Sequence, residues 1–250
     1  MESFHGEVIG TALLILLGNG VVANVVLSET KADRADWNTI TLGWGMAVFV
    51  AVFSVAAISG AHLNPAVSIG LAIAGKLRWS VVPGYVIAQF LGAMLGAFLV
   101  WLFYRPHFAK TRDRDLKMAA FCTSPAIRDL LSNFMCEAMG TSVLVFAVLQ
   151  LAQPAVGLGA LDALPVGLLV LAIGLSLGGT TGYAINPARD LGPRLMHMLL
   201  PMPGGKRDSD WSYAWIPVVA PIVGAAIAAG LYLVLGGEIR IDLPSITSFM

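Results

Sequence analysis

Arg189 and Asp190 stand side by side at the end of TGYAINPARD (181–190), within a chain that is otherwise strongly apolar. Charged side chains at membrane depth are costly, and they face a protein interior or a water-filled path. Arginine carries five N–H donors in a planar fork and keeps its proton. At such a depth it can donate to the hydroxyls of a neutral solute and repel cations. The competing reading is an arginine that snorkels from a helix end toward the interface. Asp190 would lie in the first turn of a helix that begins at Pro187, where the positive helix end favours a carboxylate. It reads as a structural group that shapes the loop and holds Arg189 or Arg194.

The residues before this pair explain the helix start. Asn is a favoured N-cap, and Pro is well tolerated at the first helical position. Asn186, Pro187 and Ala188 form such a start, and Asn64, Pro65 and Ala66 form a second one within SGAHLNPA (59–66). One copy would be an ordinary helix start; two at matched places call for more. If both helices begin near the bilayer midplane, two positive ends and two Asn amides share one space. That arrangement donates to an uncharged polar solute and opposes protons and cations. Non-helical backbone at that depth must lie inside protein or along a water-filled cavity. The carbonyls of Gly60, Ala61, His62 and Leu63, and of Gly182, Tyr183 and Ala184, are therefore candidates for a row of pore acceptors.

The elements that must position these residues are membrane spans. Of the 250 residues 57% are hydrophobic and 12% charged, against ~45–50% and ~25% in soluble domains. The formal net charge of zero gives no case for nucleic acid binding. Cys122 and Cys136 have neither the spacing nor the neighbours of a metal site or a disulfide framework. Six runs are long enough to span: 5–27, 39–60, 81–104, 129–152, 162–181 and 213–236. The first has no basic flank before it and reads as a retained span, not a signal peptide. Two shorter apolar pieces, 63–77 and 185–199, suggest re-entrant half-helices.

The halves repeat. Glu7, Gly10 and Thr11 match Glu137, Gly140 and Thr141 as E-x-x-G-T, and 59–66 matches 181–188 as [ST]-G-x-x-[LI]-N-P-A. Three spans per half invert the second copy. The expected fold is an all-α membrane protein with six transmembrane helices, two re-entrant half-helices and an inverted three-helix repeat. It forms one channel domain over 1–250, with repeats at about 1–104 and 129–240 and a long charged linker at 105–128. Gly92 and Gly96, and the run 224–230, would permit close helix packing.

The two elements SGAHLNPAVS and TGYAINPARDLGPR, with six spans and the paired E-x-x-G-T, resemble the aquaporin (major intrinsic protein) family over the whole chain. Asp190 directly after Arg189 resembles the glycerol-conducting branch, the aquaglyceroporins. The resemblance implies a selectivity filter of Trp44, Gly174, Tyr183 and Arg189 at the outer mouth. Trp44 lies in LGWGMAV, and water-only members place Phe and His where Trp44 and Gly174 fall. Gly174 would leave the aperture wider and more apolar on one side. Many glycerol facilitators have Phe where Tyr183 stands; the added hydroxyl either narrows the filter or broadens it toward urea or neutral hydroxy acids such as lactic acid. Glu7 and Glu137 would bind backbone N–H groups of the two loops, with proton relay as the alternative.

The implied function is passive diffusion of glycerol, other small uncharged solutes and water across the cell membrane, excluding ions and protons. A homotetramer in the lipid bilayer and no cofactor are implied. A strict water channel is one alternative; a coupled secondary transporter, also built from inverted repeats with broken helices, is another. No nucleophile–base pair, metal cluster or phosphate loop suggests an enzyme. The family places both termini in the cytoplasm. The linkers then facing outward hold most of the Lys and Arg, with Lys76, Arg78 and Arg240 inside, so the positive-inside count opposes that orientation.

Overall fold

The computed structural model describes residues 1–151, 157 and 159–236. The end of the second repeat at 240, Arg240 and the last residue of the 129–152 run lie outside the described residues. Helices α1 (Glu2–Val26), α2 (Trp37–Ser59), α3 (Pro65–Ile73) and α4 (Val82–Phe103) make the first half. Two short helices, α5 (Arg105–Lys110) and α6 (Arg114–Ala119), occupy the connection. The second half is α7 (Leu130–Gln150), α8 (Leu164–Leu177), α9 (Pro187–Leu199) and α10 (Ile216–Val234). Among the described residues six helical segments are long and apolar enough to cross a membrane.

The polarity is that of a membrane protein. Large apolar side chains such as Leu42, Phe53, Leu95, Leu168 and Ile227 point outward, while Glu7, Gln89, Glu137, Asp190 and Arg194 are buried. Lipid accepts the first group, and the interior must satisfy the second by hydrogen bonds. Within the halves α1 packs on α2 and α4, and α7 packs on α10. Across the halves α2 meets α8, α4 meets α9, and α10 meets α3. Each half-helix is thus held by the last span of the opposite half.

Small residues set the closest approaches. A Cβ at Gly96 on α4 would stand 2.6 Å from the Ala12 carbonyl oxygen on α1, and one at Gly224 on α10 would collide with the Ala138 carbonyl on α7. The same device thus joins the first and last spans of each half.

The connection 105–128, long and charged in sequence, folds back onto the helices. Phe108, Met118, Phe121 and Cys122 are buried, and Asn19 Nδ2 on α1 donates to the Phe121 carbonyl at 2.7 Å. Lys117 is fully buried; its Nζ donates to the Pro203 and Gly205 carbonyls at 2.5 and 3.1 Å. Burial of four apolar groups and the pairing of one ammonium with two carbonyls outweigh the segment's polar composition.

Candidate functional site

Both half-helices begin as their sequences require. The Asn64 side-chain oxygen accepts from Ala66 N at 2.9 Å. That of Asn186 accepts from Ala188 N at 3.0 Å and Arg189 N at 3.1 Å. Each amide nitrogen then reaches across to the opposite loop. Asn64 Nδ2 donates to the Ile185 carbonyl, and Asn186 Nδ2 to the Leu63 carbonyl, both at 2.8 Å. The two helix starts are thereby tied head to head. An amide nitrogen carries two hydrogens, so each asparagine keeps one donor beyond this tie. Both residues line one cavity of about 190 Å³. A single water needs roughly 10–15 Å³ in this measure, so the cavity holds a short file of small solutes.

The backbone leading into each Asn is unusual in a matched way. Gly60, Ala61 and Leu63 have φ of 79°, 51° and 53°; Gly182, Tyr183 and Ile185 have 81°, 38° and 43°. These left-handed residues stand at the same offsets in each repeat. The conformation is uncommon for residues with a Cβ, most of all for β-branched Ile185.

Two buried carboxylates hold it. Glu7 accepts from His62 N at 3.0 Å and Leu63 N at 2.7 Å; Glu137 accepts from Ala184 N at 2.9 Å and Ile185 N at 2.8 Å. Ser59 Oγ and Gln89 Nε2 also donate to Glu7, each at 2.7 Å. Ser59 opens the repeated [ST]-G-x-x-[LI]-N-P-A element but was given no role from the sequence, and Gln89 was not singled out; a polar side chain in an apolar span was its only signal.

Of the expected carbonyl row, Gly60, Ala61, His62, Leu63, Tyr183 and Ala184 belong to residues lining the cavity, whereas Gly182 is not among them. Gly182 packs on Thr123 and donates its N–H to the Gly178 carbonyl at 2.9 Å. The Leu63 carbonyl is engaged by Asn186.

Arg189 and Asp190, adjacent in sequence, go to different places. Arg189 lines the cavity with its guanidinium 4.3 Å from the centre of the Trp44 ring, and no described residue accepts a hydrogen bond from it. Its donors stay available while the aromatic face supports the charge. Asp190 turns away from it and is fully buried. It accepts from Arg194 Nε at 2.8 Å and Nη2 at 3.1 Å, and from Thr123 N and Oγ1 at 2.8 and 2.6 Å. Arg194 also donates to the Ser209 and Thr123 carbonyls, at 2.7 and 2.8 Å. Of the two partners considered for Asp190, Arg194 is the one it binds.

Trp44 and Tyr183 line the cavity, and the indole Nε1 of Trp44 and the hydroxyl of Tyr183 have no protein partner among the described residues. Gly174 is not among the lining residues. A Cβ there would stand 2.9 Å from Tyr183 Cζ and 3.0 Å from its hydroxyl. The room left by the missing side chain is filled by the Tyr183 ring, so the aperture is not simply widened on that side. One turn on, a Cβ at Gly178 would meet Tyr183 Cδ1 at 2.5 Å and Trp37 Cζ2 at 2.9 Å. The ring lies along these two glycines. Trp37 completes the slot: its Nε1 donates to the Gly174 carbonyl at 3.0 Å, and its ring meets Tyr183 edge-on, centroids 5.8 Å apart at 78°. Sequence reasoning passed over Trp37, because its partners Gly174 and Tyr183 lie more than a hundred residues from it, and over Gly178, because nothing local shows that the Tyr183 ring folds back onto it.

Residues 1–232 match the family model described as Major intrinsic protein. A glycerol uptake facilitator protein of Streptococcus pneumoniae is 55% identical over 228 residues, 91% of this chain and 97% of that protein. Glycerol uptake facilitator protein 3 of Lactiplantibacillus plantarum is 51% identical over 230 residues, 92% and 95% of the two chains. The X-ray structure of the aquaglyceroporin from Plasmodium falciparum superposes with a TM-score of 0.81 at 35% identity, covering 92% of this chain and 94% of that one. With six spans, two asparagine-capped half-helices and agreement along nearly its whole length, the chain belongs to the major intrinsic protein family.

Proposed function

We propose that this protein is a passive channel for glycerol and similar small uncharged solutes, with water, that excludes ions and protons. The observation that carries the proposal is the two-sided cavity. Asn64, Asn186 and Arg189 bring donors to it, while Leu14, Val48, Val52, Val67, Leu144 and Val170 bring apolar surface. A polyol has the same two sides, hydroxyls along one edge and C–H along the other. The named activity of the glycerol facilitators and the aquaglyceroporin to which the chain is similar supports the same reading. Two positive helix ends and the Arg189 charge oppose cations.

In this reading Trp44, Tyr183 and Arg189 form the selectivity filter, with Gly174 acting through the seat it leaves for Tyr183. Both repeats, 1–104 and 129–240, form one channel domain in the cell membrane. The working assembly is a homotetramer with both termini in the cytoplasm, against the positive-inside count. Cysteine accessibility at 28–38 and 76–80 in intact cells tests the orientation.

The function is tested by swelling of proteoliposomes in glycerol, urea and sorbitol, with water flux measured alongside. Rapid glycerol entry with sorbitol excluded is expected. Water flux without glycerol entry would favour the strict water channel and refute the proposal.

A further inference from the structure

Tyr183 faces the cavity, and the aperture between it, Trp44 and Arg189 depends on how far its ring stands forward. What stands behind the ring sets that distance. Gly174, Gly178 and Trp37 are not among the residues lining the cavity, yet all three contact or border Tyr183 on its far side. The glycines are backbone, Gly174 on α8 and Gly178 at its C-cap, and have no side chain that could yield. Trp37 is a side chain on the first turn of α2, 38% exposed, and is held in place by its hydrogen bond to the Gly174 carbonyl. It is the movable part of the seat.

We infer that Trp37 is a positioning residue for solute selection, which holds the Tyr183 ring forward by backing it edge-on while anchored to the Gly174 carbonyl. The inference rests on the channel function proposed above. It goes beyond the filter implied by resemblance, because Trp37 touches no solute and acts through Tyr183. Without the indole, the Tyr183 ring retreats into the vacated space and the aperture widens. The effect belongs to size discrimination, since the donors of Arg189, Asn64 and Asn186 are untouched.

The test measures xylitol and glycerol entry into proteoliposomes of wild type, Trp37→Ala, Trp37→Phe, Tyr183→Ala and the Trp37→Ala/Tyr183→Ala double variant. An edge-on aromatic pair is worth enough to shift a selectivity ratio by about threefold or more. Trp37→Ala is expected to raise the xylitol-to-glycerol ratio by about that factor, and Trp37→Phe, which keeps a ring but loses the anchor, by less. In the Tyr183→Ala background the Trp37 substitution should leave the ratio unchanged. A merely structural role would lower all fluxes in proportion and ignore the Tyr183 background. The inference is overturned if Trp37→Ala and Trp37→Phe both keep the wild-type ratio, or if the shift persists without Tyr183. Wild-type glycerol entry is read first: its absence overturns the channel function itself, whereas normal entry with an unchanged ratio overturns the role of Trp37 alone.

Discussion

Replacing Glu137 with Gln changes one atom of the side chain and tests the support of the second loop. The carboxylate accepts two backbone N–H groups, Ala184 at 2.9 Å and Ile185 at 2.8 Å. Glutamine offers one acceptor oxygen and turns an NH₂ toward the other donor. A buried donor left without a partner costs about 1–3 kcal/mol. The surviving bond loses its charge, which roughly halves its strength, so the total loss is about 2–4 kcal/mol by these figures. Against it stands the backbone held by the loop: Tyr183 at φ 38° and Ile185 at φ 43°, each costing about 1–2 kcal/mol. The lost support matches the strain it opposed, so the loop relaxes and carries Tyr183 and the Asn186 helix start with it. Glycerol conductance should fall at least about tenfold, the change that ~1.4 kcal/mol makes. The assay is stopped-flow light scattering on proteoliposomes, normalised to folded channel. A Glu137→Gln protein that is folded and conducts as wild type would refute the reasoning.

Other outcomes follow from the same geometry. Asp190→Ala leaves the fully buried Arg194 without its carboxylate and should destabilise the fold by about 3–5 kcal/mol, read as a lower thermal midpoint in detergent. Gly174→Ala places a methyl within 2.9 Å of Tyr183 Cζ, pushes the ring into the cavity and should depress glycerol flux more than water flux in the same vesicles. Arg189→Val removes the cation barrier and should give a proton leak under an imposed potential, measured with an internal pH dye. Asp210, in the loop after α9, is opposed by burial, but its bonds to Arg128 and Ser212 prevail and hold its pKa below the usual carboxylate value. Its contribution to stability is therefore complete above about pH 4 and lost only as pH falls through the lowered value. The thermal midpoint of an Asp210→Asn variant should accordingly differ from wild type at pH 7 and converge with it in acid.

What could be read from sequence is what repeats or follows a local rule. Asn64 and Asn186 announce helix starts through cap chemistry, and Glu7 and Glu137 are found because E-x-x-G-T occurs twice. The six spans follow from length and hydropathy, and Gly96 and Gly224 from the size of the side chain that fits. What escaped depends on partners distant in the chain. Trp37 reaches Gly174 across the α2–α8 interface, and neither residue bears a periodic or motif signal for the other. Gly174 looked like open space because nothing local tells which ring fills it. The 105–128 segment looked like a charged linker, since the pairing of Lys117 with carbonyls at 203 and 205 is invisible until the fold brings them together.

The central claim is that the cavity between the two asparagine-capped half-helices passes neutral solute without coupling it to anything. Its most direct test is the initial rate of glycerol entry into proteoliposomes against glycerol concentration, with and without an imposed proton or sodium gradient. A channel of this geometry predicts a rate linear in concentration, unchanged by either gradient and never leading to accumulation above the outside level. Saturation together with gradient-driven accumulation would contradict it and point to a coupled transporter.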